Sequence, residues 1–425
     1  MTSGLIHERA LSSFSGRAPA ARKRIAIAGC GVVGTALLRL LDEQRERFPY
    51  DVESVLVRDA GRRRDCGVSD AVITSALDDF LDADAAIVVE ALGGIEPAKT
   101  IAQHTLSRGG TFITANKALV AACGADLEGL ARRHQGTFRY DATVGGGVPT
   151  IRLLETSLGG QRPRAVRGIL NGTSNFVLTL LEQGASFETA LAEARRRGFA
   201  EADVSRDLDG RDAADKVAIL AWRAFGLAPQ DVRVRRVALP ADPARLVRLA
   251  SALNGSVRLL GECELLDDGK TVVASVEPVI VRPRSGFART VFEENRVEVD
   301  AGWSSPLSVS GPGAGGAPTA AALVSDLLAS AGNSEERPND ARSVHDGRLF
   351  QWIVAARCSA EQLQDVLRTT SVEWRRVWST RGETVARTRP LPHFAVERAL
   401  ATLEARNAEP LVARLDDAFA WERAA

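Results

Sequence analysis

Cysteine is scarce in this sequence and follows no pattern. The five cysteines are odd in number, lie far apart and never form a C-x-x-C pair. The sequence therefore predicts neither a disulfide framework nor a zinc site, and it favours a reducing cytoplasm.

Long apolar runs and an excess of either charge are also missing. No stretch of about 18 apolar residues is present, and the start lacks the apolar segment of a secretory signal, so we expect no membrane partner. Lys and Arg number 54, as do Asp and Glu. Basic residues do not form a stripe interleaved with aromatics, so no nucleic-acid partner is expected. A small-molecule substrate is the expected partner.

Lysine is nearly absent, because arginine supplies almost all of the positive charge. The chain has five lysines, and two of them, Lys117 and Lys216, lie in the motifs described below. Arginine cannot release its proton near neutral pH, whereas a desolvated lysine can. These two lysines are therefore candidates for proton chemistry.

Alternating strands and helices predict the α/β fold class. Four apolar strands with helical patterns between them indicate a Rossmann-type doubly wound parallel sheet at 23–150, which would bind NAD(P). A change of pattern, with helices and then strands from about 234 to 300, predicts an inserted α+β domain for substrate binding and dimerisation at 151–310.

The remaining segments complete this organisation. Residues 1–22 are expected to be a disordered tail, and 311–331 a return helix that completes the nucleotide domain. A polar linker at 332–346 precedes a small βαββαβ-like C-terminal module at 347–425. The module could serve regulation, oligomerisation or packing only, and we favour a regulatory or interaction module.

A glycine-rich turn follows the first predicted strand and opens a helix. Its G-x-G-x-x-G pattern permits a tight turn, close approach of a pyrophosphate and packing of the helix against the strand. This context predicts a dinucleotide site, formed by Gly29, Cys30, Gly31, Val32, Val33 and Gly34.

The second predicted strand ends in Arg58 rather than in a carboxylate. An acidic residue at this place usually bonds the ribose 2′-hydroxyl of NAD, whereas arginine suits the 2′-phosphate of NADP. Three further arginines follow at 62–64. NADP(H) is therefore favoured over NAD(H), although the adjacent Asp59 keeps use of NAD(H) open.

Several carboxylates precede Lys216. The glycine after Asp207 and Asp209 comes too early for an EF-hand calcium loop, which excludes that interpretation. Asp212 and Lys216 are four residues apart at the start of a predicted helix, so they share one face, where the carboxylate can orient the ammonium. A surface ion pair is the alternative for this spacing alone.

Seven blocks together resemble the homoserine dehydrogenase family, in its order and spacing over about residues 24–331. They are GCGVVG (29–34), VVEALGGIEPA (88–98), TANKALVA (114–121), VGGGVPTI (144–151), GILNGTSNFVLT (168–179), the stretch from GFAEAD to AILA (198–221) and GPGAGGAPTA (311–320). The resemblance implies reversible hydride transfer between L-aspartate 4-semialdehyde and L-homoserine, in the threonine, methionine and isoleucine pathways.

The resemblance also implies roles for individual residues. Lys216 would give and take the proton, Asp212 would orient it, and Lys117 would be a second cation beside cofactor and substrate. The substrate would be bound by Glu201, Asp207, Asn171, Gly172 and Thr173, and the cofactor also by Asn116, Lys117 and Gly313.

A structural Na⁺ or K⁺ and a homodimer formed through the substrate-domain sheet are implied as well. The cation would be held by Asp141, Val144, Gly146 and Val148. Asp141 stands where the family has glutamate, and the 279–300 segment departs from the family pattern.

Two other functions stay open from the sequence. One is a related amino-aldehyde reductase, favoured by Asp141 and the altered 279–300 segment. The other is a cofactor-binding regulatory paralogue without turnover, against which both motif lysines argue. Aldehyde oxidation through a thiol is disfavoured because Cys123 has no evident histidine partner.

Overall fold

The computed structural model describes residues 22–62, 66–67, 69, 72–158, 160–200, 203–302, 306–329, 342–344 and 346–416. Arg22 belongs to the folded part, because its Nε donates to the Asp51 carboxylate at 2.6 Å. The tail predicted for 1–22 is therefore one residue too long, and the rest of that segment lies outside the described residues.

A parallel sheet forms the first part of the fold, as predicted. Its strands run in the order β3-β2-β1-β4-β5-β6, the doubly wound order of dinucleotide-binding domains. They are β1 (Lys23–Ala28), β2 (Tyr50–Leu56), β3 (Ile73–Thr74), β4 (Ile87–Glu90), β5 (Thr111–Thr114) and β6 (Thr137–Arg139).

Both faces of this sheet are covered, which explains the unbroken apolar pattern of β1. Ile25 and Ile27 pack into one core and Ala26 and Ala28 into another, because successive strand residues point to opposite faces. The covering helices are α1 (Val32–Glu43), α2 (Leu77–Leu81), α3 (Ala98–Ser107) and α4 (Lys117–Arg133).

Helices then follow one another along the chain, with a single strand, β7 (Ala165–Ile169), among the first of them. The region predicted as a helix at 148–157 is a short helix, α5 (Thr150–Arg152), that continues as a π-helical turn (Leu153–Ser157). The others are α6 (Gly172–Glu182), α7 (Phe187–Arg196), α8 (Ser205–Leu208) and α9 (Arg211–Phe225).

A second, larger sheet contains both antiparallel and parallel pairs. Its main order is β12-β11-β7-β9-β10-β17-β14-β16-β15, and β8 and β13 add to the edge of β10. The strands after β7 are β8 (Val234–Arg236), β9 (Ser256–Leu265), β10 (Thr271–Val281), β11 (Glu294–Asp300), β12 (Leu307–Pro312), β13 (Arg342–Ser343), β14 (Trp352–Ala356), β15 (Trp374–Thr380), β16 (Glu383–Thr388) and β17 (Leu411–Leu415).

The remaining helices are α10 (Pro243–Ala252), α11 (Gly286–Arg289), α12 (Gly316–Leu328), α13 (Ala360–Thr369) and α14 (His393–Ala405). Helices α6, α9 and α10 share one core with alternate residues of β9 and β10, such as Val257, Cys263 and Val276. Among the described helices, none is long and apolar enough to cross a membrane.

The C-terminal βαββαβ unit does not stand apart from the rest of the fold. Its last strand, β17, pairs in parallel with β10, where Val279 lies opposite Arg414. Arg414 is buried and forms ion pairs with Glu262 at 2.9 Å and Glu277 at 3.4 Å. One continuous sheet therefore spans the segments predicted as substrate domain and C-terminal module.

Two boundaries expected from the sequence need correction. The return helix predicted at 311–331 begins only at Gly316, because Gly311 and Pro312 end β12, and Pro318 lies in its first turn. Part of the linker predicted at 332–346 pairs with β10 as β13.

The segment predicted to consist mainly of strands at 234–300 also contains the helix α10. The Asp242 side chain caps this helix by accepting from the Arg245 backbone N–H at 3.2 Å, and Pro243 follows at its first position. This Asp-Pro pair is a helix-start signal within a mostly extended region.

Candidate active site

Of the three glycines in the G-x-G-x-x-G turn, only Gly31 borders open space. Gly29 has a φ of +105°, and a Cβ there would lie 2.6 Å from the Ala91 carbonyl oxygen. A Cβ at Gly34 would overlap the Gly29 carbonyl oxygen, whereas one at Gly31 would meet nothing within 4 Å. Gly31 also caps α1, so open space lies at a helix N-terminus, where backbone N–H groups suit a phosphate.

One further loop lies against the start of α1, and another loop contacts that one. A Cβ on Gly316, at the start of α12, would lie 2.9 Å from the Val32 carbonyl oxygen, and one on Gly146 would lie 2.6 Å from that of Gly313. The loops around Gly146 and Gly313 therefore touch each other, and the second adjoins α1. Val32 is 77% exposed, which leaves an apolar residue at the rim of the turn.

A buried carboxylate that the sequence pattern does not indicate organises the start of α4. Glu90, at the end of β4, accepts hydrogen bonds from Thr114 Oγ1 at 2.5 Å and Asn116 Nδ2 at 3.3 Å. Asn116 in turn caps α4 by accepting from the Leu119 backbone N–H at 3.1 Å. Burial raises the pKa of Glu90, although these hydrogen bonds oppose the rise. Its position inside an apolar strand block concealed it in the sequence.

The centre of the site is one carboxylate shared by two lysines. Asp212 Oδ1 lies 2.8 Å from Lys117 Nζ, and Asp212 Oδ2 accepts from Lys216 Nζ at 2.8 Å. Lys216 Nζ also donates to the Leu170 carbonyl oxygen at 2.6 Å. Lys117 begins α4, whereas Asp212 and Lys216 lie on the first turns of α9. The cluster therefore joins the nucleotide-binding part of the chain to the inserted part.

The turn between β7 and α6 closes the cluster from a third side. Asn171 Nδ2 donates to Asp207 Oδ1 at 2.7 Å and to Asp212 Oδ2 at 2.8 Å. Its Oδ1 accepts from the Ser174 backbone N–H at 2.7 Å, so Asn171 both caps α6 and contacts the cluster.

Its neighbours in the turn have other contacts. Thr173 Oγ1 donates to the Phe199 carbonyl oxygen at 2.5 Å. A Cβ on Gly172 would lie 2.9 Å from the carbonyl oxygen of Glu293. Glu201 lies outside the described residues.

Charge and burial shift the pKa values within this cluster. Burial alone would raise the pKa of Asp212, but Lys216 and Lys117 hold it well below its usual range. Burial disfavours the charged form of Lys117, yet the charge of Asp212 leaves its pKa raised. Burial raises the pKa of Asp207. Asp212 is thus a fixed anion and Lys117 a fixed cation at neutral pH.

The residues expected to hold a cation surround a second buried carboxylate. Asp141 Oδ1 accepts from the backbone N–H of Ile151 at 2.9 Å. Burial, and then the charge of Asp326, raise the pKa of Asp141 to about 7. Val144 and Gly146 are buried, and within the described part of the chain neither carbonyl accepts a hydrogen bond. The Val148 carbonyl accepts from the Thr150 backbone N–H at 2.7 Å.

A doubly wound sheet, a glycine turn open at a helix N-terminus and a pair of lysines on one buried carboxylate define a dinucleotide-dependent oxidoreductase. The chain matches the homoserine dehydrogenase family over residues 149–328 and the NAD-binding domain of homoserine dehydrogenase over residues 29–141. The chain belongs to the homoserine dehydrogenase family, whose members interconvert L-aspartate 4-semialdehyde and L-homoserine in amino-acid biosynthesis. The family membership and the fold class predicted from the sequence are confirmed.

Named relatives agree with this assignment. The chain is 34% identical to the homoserine dehydrogenase of Synechocystis over 74% of this chain and 75% of the relative, and 35% identical to that of Corynebacterium glutamicum over 78% and 75%. The structure of a homoserine dehydrogenase from Thiobacillus denitrificans superposes with a TM-score of 0.81 at 27% identity, covering 93% of this chain and 98% of that one. A hyperthermophilic archaeal homoserine dehydrogenase in complex with NADPH superposes with a TM-score of 0.57 at 25% identity, over 72% and 97%.

The glycine turn allows a matched pair of substitutions. Gly31→Ala adds a methyl group in open space, so we expect an unchanged melting temperature and a cofactor Kd raised by at least about tenfold, because the methyl group keeps the pyrophosphate away. Gly34→Ala instead collides with the Gly29 carbonyl and should lower the melting temperature. Calorimetric titration with NADPH and a thermal melt measure both effects. Wild-type cofactor affinity in Gly31→Ala would contradict the placement of the pyrophosphate.

Proposed function

We propose that this chain reduces L-aspartate 4-semialdehyde to L-homoserine reversibly, with Lys216 as the proton donor and acceptor. The observation that carries the proposal is the fixation of Lys216 Nζ by Asp212 and the Leu170 carbonyl oxygen, at 2.8 and 2.6 Å. An ammonium has three N–H donors, and the third has no acceptor among the described residues. That donor is free to bind the aldehyde oxygen.

The bound nicotinamide cofactor would supply or accept the hydride at the substrate carbon. Lys216 would polarise the carbonyl oxygen and transfer a proton to it as it becomes a hydroxyl, an effect of roughly 10²–10⁴ in rate. Lys117, held by Asp212, would add a second positive charge where negative charge develops on that oxygen. In the reverse direction, Lys216 would accept the hydroxyl proton of homoserine.

The carboxylates near the lysines would bind the other end of the substrate. Asp207 receives a hydrogen bond from Asn171, and its other oxygen can accept from the amino group of homoserine. We extend the same role to Glu201 from the family resemblance. Asp212 is less suited to this role, because each of its oxygens already binds a lysine.

Replacing Lys216 tests the proton-transfer role. We expect Lys216→Ala to lower kcat for semialdehyde reduction by at least about a hundredfold while NADPH still binds, because the proton donor is lost. Lys270→Ala, at an exposed turn residue, is the matched control and should behave as wild type. Steady-state kinetics with NADPH oxidation and fluorescence titration of NADPH give the two readouts.

The outcomes separate the alternatives. An active Lys216→Ala enzyme would contradict the role of Lys216. A wild-type protein that binds NADPH but leaves the semialdehyde untouched would instead favour a related reductase or a regulatory paralogue.

We further propose that NADP(H) is preferred to NAD(H). Arg58 is exposed just beyond β2, with the exposed Arg62 nearby in the chain. Asp59 Oδ1 accepts from the Gly61 backbone N–H at 2.9 Å, so one of its oxygens serves its own turn. The archaeal relative solved in complex with NADPH supports the preference by similarity.

The preference depends on charge and can be measured as a ratio. Arg58→Ala should raise the KM for NADPH by about tenfold and that for NADH by less than about threefold, because only NADPH carries the 2′-phosphate. Arg375→Ala, on the exposed side of β15, is the control and should change neither value. Equal changes for both cofactors would contradict the proposal.

We also propose a structural Na⁺ or K⁺ beside Asp141. The carboxylate of Asp141 and the buried carbonyls of Val144, Gly146 and Val148 are oxygen ligands of the kind that hard cations prefer. An anion buried next to a second carboxylate is costly, and a cation would offset that cost.

The pH dependence of the cation effect tests this site. The pKa values of Asp141 and Asp326 are raised to about 7 and about 6 in the folded state. Their neutral forms therefore stabilise the fold below the unfolded pKa of about 4, and that contribution is lost as pH rises through 6–7. We expect K⁺ or Na⁺ to raise the melting temperature at pH 8, compared with N-methylglucamine at equal ionic strength, and to have no effect at pH 5. Asp141→Asn should remove the difference at pH 8, and a difference that persists in this variant would contradict the site.

We propose a cytoplasmic homodimer, from the family resemblance and the use of cysteine. The strand face of the large sheet turned away from α9 carries Arg296 and Glu298 on β11, which pair at 2.8 Å, so a contact there would be polar. Sedimentation velocity tests the assembly, and a monomer throughout the micromolar range would contradict it.

A further inference from the structure

Two helices that carry the catalytic cluster run side by side in the same direction. At their starts, Lys117 of α4 meets Asp212 of α9 at 2.8 Å. About three turns further along each helix, Arg223 Nη1 of α9 donates to Glu128 Oε1 of α4 at 2.9 Å. The same guanidinium also donates to Glu155 at 3.0 Å. Ion pairs at both ends therefore hold the two helices in register.

Between these ends, α4 has a glycine where α9 presents a tryptophan. A Cβ on Gly124 would lie 2.8 Å from Cζ3 and 3.2 Å from Cη2 of the Trp222 ring. Glycine in a helix interior lowers stability relative to alanine. The close contact with Trp222 explains why α4 has glycine at this position. The absence of a side chain at Gly124 lets the α4 backbone approach the ring directly.

The Trp222 ring is itself held from the other side. It stacks on Tyr140 with an interplanar angle of 4° and a centroid distance of 5.3 Å. The Arg223 guanidinium lies 5.1 Å from the Trp222 ring centroid and donates to the Tyr140 hydroxyl at 2.8 Å. Because these contacts hold the ring in place, we expect an added methyl group at Gly124 to displace α4 instead.

We propose that Gly124 and Trp222 are positioning residues, which set the distance between the Lys117 ammonium and the Asp212 carboxylate through the spacing of α4 and α9. This inference deepens the proposed function and rests on it, since the distance matters only if the two lysines act on one substrate oxygen. Displacement of α4 would weaken the pair, because Coulomb attraction falls with distance. It would also move Lys117 away from the substrate oxygen that Lys216 is proposed to bind.

The test adds one methyl group and then makes room for it. We expect Gly124→Ala to lower kcat by at least about tenfold with the KM for NADPH within about twofold, since small displacements at a catalytic group cost rate. Adding Trp222→Phe should restore kcat to the value of the Trp222→Phe single variant, because the shorter ring relieves the contact. Gly129→Ala is the matched control on the same helix, since a Cβ there meets only Arg133 Nη1 at 3.5 Å.

A second readout is independent of turnover. Only five lysines are present, so amine labelling followed by mass spectrometry can report the protonation of Lys117 residue by residue. Loss of the Asp212 contact should let burial dominate, so the pH of half-maximal labelling of Lys117 should fall in Gly124→Ala and return in the double variant. Should Gly124→Ala fail to fold, Glu128→Gln loosens the same helix pair from its far end and should shift the labelling in the same direction.

The outcomes keep the two proposals apart. An inactive wild-type protein would overturn the proposed function, and the labelling of Lys117 would still decide whether the helix contact positions it. Wild-type kcat and labelling in Gly124→Ala would overturn the inference. So would a loss of activity that Trp222→Phe fails to restore, since that result would mean general damage to the fold.

Discussion

The buried carboxylate of Asp212 is the constraint on which the site depends. It binds ammonium groups from α4 and α9 and the Asn171 amide from the β7–α6 turn. A buried charge without partners is strongly unfavourable, so these three elements cannot separate without exposing Asp212 or leaving it unpaired. The same contact therefore orders the groups proposed to be catalytic and joins the nucleotide-binding part of the chain to the inserted part.

The local sequence pattern predicts those parts of the site whose residues lie close together in the chain. The glycine turn and the strands around it were expected because the three glycines of the pattern lie within six consecutive residues, between an apolar strand and a helical pattern. The pairing of Asp212 with Lys216 was expected because residues four apart share a helix face. The return of the chain to α1 through α12 was predicted as well, although its start was placed too early at Gly311.

The rest depends on contacts that no local pattern encodes. Lys117 was assigned near the substrate only by resemblance, because its partner Asp212 is remote in sequence. Glu90 lies within an apolar block that predicts a strand, and nothing there indicates that its carboxylate is buried against Asn116. The pairing of β17 with β10, and the burial of Arg414 between Glu262 and Glu277, join segments that look separate in the sequence.

Asp212 also bears on the different roles proposed for the two lysines. A carboxylate that holds an ammonium makes it a weaker acid, so the contact that orders a lysine opposes release of its proton. Lys117 has its pKa raised in this way and keeps its charge through neutral pH, which suits a fixed cation. Lys216 shares this carboxylate but is more deeply buried, and it also donates to the Leu170 carbonyl oxygen. In the proposed mechanism, Lys216 transfers the proton beside a constant positive charge on Lys117, and one carboxylate positions both lysines. Arginine could not replace Lys216 in this role, since it does not release its proton near neutral pH.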